Sequence, residues 1–265
     1  MTDYINLNRD SWNKRAEVHF TSEFYDVEGF LKGKSSLNSI ELDLLGDVSG
    51  KSILHLQCHF GQDSLSLSRM GAKVTGVDLS DKAIDYANEL NTKLGLDAEF
   101  ICCDVYDIPK HLNKKFDIVY TSYGTIGWLP DLDKWAKLIQ DFLLPNGKFV
   151  FVEFHPFVWM FDDDFTHVKY PYFKDEPIHE IADSTYSDGE LDSPIEDVSW
   201  NHSLSEVFQA LLDNGMRIDS FEELDYSPYD CFNKTKEIEK GKFIIEPLGT
   251  KIPLVYSLTA TKVGQ

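Results

Sequence analysis

"KSILHLQCHFGQDSLSLSRMGAKVTGVDLS", residues 51–80, decides how this chain folds. "KSILHL" is a short apolar run of strand length that ends at Gln57. "DSLSLSRMG" reads as a helix stopped by Gly71, and "AKVTGVDL" as a second strand. Strand, helix and strand within 30 residues imply a parallel pair with a helical crossover. Inside the first turn, His55, Cys58 and His59 fall within five positions. Two readings compete: a metal site, or a strand-to-helix turn with unusual residues. Zinc wants four converging nitrogen or sulfur ligands. His55 and Cys58 have opposite parity on a strand and point apart, and no second Cys/His pair lies nearby. The turn is the better reading, and the metal assignment is none. "DDD" at 162–164 reads as a solvated turn.

The same rhythm continues outward. Ser80 caps a helix over "DKAIDYANELNTKLG", with Lys93 in its last turn and Gly95 closing it. "LDAEFICCD" is a third strand and "KKFDIVYTSY" a fourth. Cys102 and Cys103 should face opposite sides of the third. "LPDLDKWAKLIQDFLL" is a helix with Trp135, Leu138, Ile139 and Phe142 on one face, and "PNGKFVFVEF" a tight turn into a fifth strand. Such alternation predicts an α/β fold with helices on both faces of a parallel sheet and right-handed crossovers. Before this core, "DSWNKRAEVHF" has helical spacing and residues 36–45 form a second helix ending at Gly46. Residues 157–202 are acidic, aromatic and turn-rich. They read as an insertion, partly β-hairpin, over one end of the sheet. "SLSEVFQALLDNG" then resumes the pattern with a capping box from Ser203 and Glu206 and a stop at Gly215. "MRIDSFEELDY" and "PLVYSLTATKV" are the last strands, joined by about 25 residues, long enough to suggest a functional loop.

Composition sets limits. The 265 residues are 42% hydrophobic, 13% aromatic and 26% charged, an ordinary globular mixture. A net charge of −20 repels nucleic-acid phosphates, so a small molecule is the expected partner. No apolar run approaches the roughly 20 residues of a membrane span. "MTDYINLNRDSW" lacks the basic and apolar regions of a signal peptide. Four cysteines without a CxxC pair suit a reducing, cytoplasmic setting. No partner membrane or nucleic acid is expected.

In open α/β sheets, ligands sit beyond the carboxyl ends of the strands. Strand one ends at "HLQCHFG", where Gly61 opens a helix whose amides face the crevice. Strand two ends at Asp78, 17 residues past Gly61 and suitably placed for ribose hydroxyls. Strand three ends at Asp104, strand four at "VYTSYGTIGW" and strand five at "VEFHPF". A carboxylate for a ribose diol and a second acceptor for an adenine amine are what an adenosine requires.

These stretches, with "FICCDVYDIP" and the C-terminal helix and strands, resemble the class I S-adenosylmethionine-dependent methyltransferases over about 200 residues. The resemblance implies a Rossmann-like three-layer sandwich. Its sheet has seven strands, mostly parallel, with an antiparallel last strand between the fifth and sixth. It implies a single domain over 1–265: a helical lid (1–49), the core (50–156 and 203–265), and a β-rich cap (157–202). It implies S-adenosyl-L-methionine as cofactor and methyl transfer to a small-molecule acceptor. Gln57, Cys58, His59 and Gly61 would contact the methionyl part, Asp78 with Leu79 the ribose, and Asp104 with Val105 the adenine. Ser122 would lie at the methionyl end. Arg15 would pair with the methionyl carboxylate, and Trp12 would cover the sulfonium or adenosine. The family usually has an acid and then three glycines at alternate positions. Here His55 stands for the acid, and Gln57 and His59 for two glycines. A bacterial subgroup with a histidine-containing first motif is similar through this turn. Tyr123 and His155 are the catalytic candidates on the acceptor side, with Glu153 and His202 behind them. The insertion points to a cationic or apolar acceptor.

Two other functions stay open. A nicotinamide-dependent oxidoreductase also uses an acid like Asp78, although one glycine stands where G-x-G-x-x-G needs three. A non-catalytic protein binding the cofactor or a metal is the other.

Overall fold

The computed structural model describes residues 3–187 and 189–263. Three helices come first: α1 (Tyr4–Thr21), α2 (Val27–Leu31) and α3 (Ser39–Leu45). The core alternates as expected: β1 (Ser52–Leu56), α4 (Gln62–Arg69), β2 (Lys73–Asp78), α5 (Asp81–Leu94), β3 (Glu99–Cys102), a short α6 (Ile108–His111), β4 (Phe116–Ser122), α7 (Leu132–Phe142) and β5 (Leu143–Phe154). A hairpin follows, β6 (Ile178–Ser184) with β7 (Glu190–Ser199). Then come α8 (Leu204–Asp213), β8 (Met216–Leu224), a second hairpin of β9 (Thr235–Glu239) and β10 (Lys242–Ile245), and β11 (Val255–Lys262).

The sheet order is β3-β2-β1-β4-β5-β11-β8. β11 runs antiparallel to both neighbours, and the other six strands are parallel. This is the Rossmann-like order that the resemblance implied. The expected 25-residue connection before β11 holds the β9–β10 hairpin, so it is folded and not a plain loop.

Both faces of the sheet are covered, which is why its strands are continuously apolar. Leu54, Leu56, Val119, Phe149 and Phe151 meet α7 and α8 on one face. Trp135 lies edge-on to Phe149 and Phe151, its ring 5.4 and 5.5 Å away. Ile53, Val74, Ile118 and Val150 meet α4, α5 and the N-terminal helices on the other. The caps are local. Ser80 Oγ accepts from Ala83 N, and Gly95 closes α5 in a left-handed conformation. Ser203 accepts from Glu206 N, but Glu206 gives its carboxylate to His202, 3.1 Å away, and leaves the second half of the capping box unmade.

Strand order reverses between β1 and β4, which opens a crevice at their carboxyl ends. The β6–β7 hairpin is fastened to α1 across that end. The Asn8 amide donates to Val198 O (2.8 Å) and accepts from Val198 N (2.9 Å).

Candidate active site

The chain leaves β1 through alternating left-handed residues: Gln57 (φ 53°), His59 (φ 50°) and Gly61 (φ 77°). A β-carbon at Gly61 would come within 2.7 Å of the Phe100 ring, so glycine is required there. The other two carry side chains in a conformation that costs about 1–2 kcal/mol each. Long-range bonds hold them. Gln57 Nε2 donates to Thr125 O (2.8 Å). His59 N donates to Asp78 Oδ2 (2.7 Å). The His59 ring stacks on Tyr25 (5.3 Å, 11°) and on His19 (5.2 Å, 19°). His59 Nε2 lies 3.1 Å from His19 Nδ1, and His19 Nε2 lies 3.2 Å from Thr185 Oγ1. Burial pushes the pKa of His59 down to about 3 and of His19 to about 2, so both rings are neutral. His55 is also neutral: burial lowers it to about 3, and its Nδ1 bonds Ser64 Oγ (2.8 Å). Gln57 Oε1 and His59 Nδ1 are buried without a partner.

The next strand ends bring two carboxylates. Asp78 Oδ1 accepts from Ser80 N (2.9 Å) while Oδ2 holds His59 N. Burial raises its pKa to about 6. Asp104 Oδ1 accepts from Tyr106 N (2.8 Å), and burial raises it as well. Beyond β4, Tyr123 (φ 42°) packs against Tyr229 (ring centroids 5.0 Å apart), and its hydroxyl is buried with no partner.

These residues surround one cavity of about 840 Å³. Trp12, Arg15, Gln57, Cys58, His59, Gly61, Asp78, Leu79, Asp104, Val105, Ser122 and Tyr123 all line it, with Glu153 and His202. His155 does not line it. Its Nε2 lies 3.0 Å from Glu223 Oε1 on β8, and its Nδ1 accepts from Phe157 N (3.1 Å). Both nitrogens are occupied on the far side of the strand end, which removes His155 as a catalytic candidate. Glu153 is a hub for the turn after β4. It accepts from Thr125 N (2.7 Å), Thr125 Oγ1 (2.9 Å), Ile126 N (3.2 Å), Phe154 N (2.7 Å) and Gly124 N. His202 Nε2 bonds Leu129 O (2.8 Å). Of the four, Tyr123 lines the cavity with its hydroxyl beside the Glu41 carboxyl.

The roof comes from α1 and the hairpin. Trp12 stands edge-on to His59 (5.5 Å) and Trp128 (5.4 Å). Arg15 was expected to seek a ligand carboxylate. Instead, both arms of its guanidinium engage Asp197 on β7, with Nη1 2.9 Å from Oδ1. Asp197 sits 182 residues away, and no spacing rule joins the two. Asp63 was also missed. It lies in the first turn of α4, where an acid is ordinarily explained by the helix dipole. Here its side chain lines the cavity and accepts from the Ser122 and Tyr120 hydroxyls at 3.4 Å each.

Among the described residues, no group of three or more His, Cys, Asp or Glu is arranged to hold a metal ion. No described helix is long and apolar enough to cross a membrane.

Matches to known proteins include four at the level of family, sequence and fold. The family model for a methyltransferase domain matches residues 53–147. A sterol 4-C-methyltransferase of Caenorhabditis elegans is 31% identical over 134 residues, which cover 50% of this chain and 40% of that protein. A ubiquinone biosynthesis O-methyltransferase of Pseudoalteromonas translucida is 27% identical over 155 residues, 57% of this chain and 64% of that one. The chain thus spans less than two thirds of these relatives' lengths. Among solved structures, a geranyl diphosphate C-methyltransferase of Streptomyces coelicolor, crystallised with S-adenosyl-L-homocysteine, aligns over 99% of both chains. Its TM-score is 0.65 at 17% identity, which establishes a shared fold.

Proposed function

We propose that this chain transfers a methyl group from S-adenosyl-L-methionine to a small-molecule acceptor. One observation carries the reading: every residue proposed for the cofactor, drawn from α1 and from the ends of β1, β2, β3 and β4, lines a single cavity. The donor set fits that cofactor. Asp78 and Asp104, on neighbouring strands, keep lone pairs for a ribose diol and an adenine amine. Leu79 and Val105 supply apolar walls. Gln57 Oε1 and His59 Nδ1 are buried polar atoms that lack partners where the methionyl part would lie. The histidine-containing turn supports grouping the chain with the bacterial methyltransferases that are similar through it.

When bound, the cofactor supplies an electrophilic methyl on sulfur, and the chain supplies orientation, exclusion of water and electrostatics. Asp78 orients the nucleoside and fixes the first turn through His59 N. Trp12 and Trp128 close the roof over it, and Arg15 holds α1 to the hairpin through Asp197. Residues 1–49 thereby act as a lid and 157–202 as a cap over a single catalytic unit. Tyr123 lines the acceptor side of the cavity, its hydroxyl buried beside Glu41. The four free cysteines support a cytoplasmic setting.

Calorimetry tests this. S-adenosyl-L-homocysteine should bind in the micromolar range and NAD should not. Absence of S-adenosyl-L-homocysteine binding at millimolar concentration refutes the reading, and tight NAD binding selects the oxidoreductase instead.

A further inference from the structure

The cavity wall is strongly unbalanced in charge. Eight carboxylates and two basic side chains, Arg15 and Lys34, line it. Arg15 is committed to Asp197, and Lys34 Nζ to Asp26 Oδ2 (2.9 Å). An anionic acceptor finds no free lysine or arginine among the lining residues. Near the ends of β1 and β4 the imbalance is concentrated. Asp63 reaches the cavity between Ser122 and Tyr120. Glu41 of α3 lies behind the same wall, fully buried, with Oε2 unpartnered and Oε1 accepting from Asn38 Nδ2 (3.3 Å). The buried Tyr123 hydroxyl lies beside the Glu41 carboxyl, and the Tyr229 ring stands edge-on to Tyr123.

Neither Asp63 nor Glu41 has an ion-pair partner among the described residues. Asp63 acts on Glu41, and the other groups acting on the two are serines, an asparagine and tyrosines, with no lysine or arginine. Burial and the Asp63 charge raise Glu41 to about 7, and burial raises Asp63. Two buried carboxylates without a counter-charge are costly unless a proton or a ligand supplies one. The tyrosine faces beside them favour a cation too.

We propose that Asp63, backed by Glu41 and Tyr123, is a receptor for an organic ammonium group inside the cavity. It replaces the acid that His55, neutral and bonded to Ser64, does not provide. The ammonium belongs either to the amino-acid end of the cofactor, which rests on the methyl-transfer reading, or to an amine acceptor.

Calorimetry at pH 8 on the full chain separates the sources, using wild type, Asp63→Asn and Glu41→Gln. The probes are S-adenosyl-L-homocysteine, 5′-methylthioadenosine (the same nucleoside thioether without the amino-acid end) and benzylamine. If the cofactor supplies the ammonium, Asp63→Asn weakens S-adenosyl-L-homocysteine by about 10- to 100-fold. Methylthioadenosine then stays within twofold. If the acceptor supplies it, S-adenosyl-L-homocysteine is unaffected, and benzylamine binds the wild-type complex but not that of Asp63→Asn. Glu41→Gln moves the same affinity in the same direction by less, and serves if Asp63→Asn does not fold. The proposal is overturned if both variants bind S-adenosyl-L-homocysteine like wild type and benzylamine binding is absent or equal in all three. Loss of methylthioadenosine binding alone supports capture of the ammonium, whereas failure of both S-adenosyl-L-homocysteine and methylthioadenosine to bind wild type sinks the methyl-transfer reading alone. The receptor is then judged on benzylamine and the unloaded protein.

Discussion

Asp78→Asn should separate binding from stability, and the structure sets the size of both effects. The Asp78 carboxyl has a folded pKa of about 6 against 3.8 when exposed, because it is buried. A raised carboxylate pKa contributes stability that is complete below the unfolded value and lost as pH rises through the folded one. The shift corresponds to about 3 kcal/mol, at about 1.36 kcal/mol per unit. Asparagine does not titrate, so it escapes this cost. It has only one acceptor oxygen, so either His59 N or Ser80 N loses its partner, at about 1–3 kcal/mol. At pH 8 the two effects nearly cancel and the variant should melt close to wild type. One unit below the folded value, at pH 5, the protonated wild type regains about 1.4 kcal/mol and the variant does not. The variant should therefore fall behind by that amount between pH 8 and pH 5 in urea titrations. Binding behaves differently. Two ribose hydroxyls lose a charged acceptor, and S-adenosyl-L-homocysteine affinity should drop about 100-fold or more. In wild type that affinity should weaken up to about tenfold per unit below pH 6, and the variant should lack this slope. Calorimetry showing affinity within threefold of wild type would refute the ribose assignment. A stability difference independent of pH would refute the buried, charged state of Asp78.

Other outcomes follow from the same geometry. Gly61→Ala combines a left-handed φ with a β-carbon pressed on the Phe100 ring, so urea titration should show a loss of about 2–4 kcal/mol. Arg15→Met leaves Asp197 buried without its partner and should cost about 3–5 kcal/mol, much of it recovered in the Arg15→Met/Asp197→Leu double variant. His19, His55 and His59 have lowered pKa values, so their stability is present above pH 6.5 and lost as pH falls toward 3. His55→Gln should remove one of these protons, which lessens the fall in stability by about 1.4 kcal/mol per pH unit below 6.5 in the same titrations.

How much of this was legible in the sequence depends on the distance over which each feature is encoded. The β1–α4–β2 unit, the Ser80 cap and the Gly95 stop are set by neighbours within one or two turns, and the chain forms them as read. The insertion of β11 between β5 and β8 follows from no local period and was legible only through the family resemblance. The cavity's lining residues were legible because strand ends converge at the reversal of strand order. What each residue does there was not. Glu153 and His155 share parity at the end of β5, yet one accepts the amides of the following turn and the other is held by Glu223 across β11. Arg15 meets a carboxylate as expected, but one from the chain itself.

The first turn shows why such partners escape a local reading. Glycines would adopt its left-handed backbone without strain, whereas Gln57 and His59 cost about 1–2 kcal/mol each. What offsets that cost lies far away: Thr125 for Gln57, and Asp78, Tyr25 and His19 for His59. His19 belongs to α1, and its second nitrogen faces Thr185, just past β6 of the hairpin. The residues that break the glycine pattern therefore tie α1, the turn and the hairpin together over the cavity. A turn of three glycines could approach a ligand equally well, but it would offer His19 nothing to bond. Loss of the glycines reads physically as an exchange. Backbone freedom at the turn is given up for a roof whose position depends on the turn itself, so His59→Gly should loosen α1, seen as faster amide exchange, while the turn keeps its course.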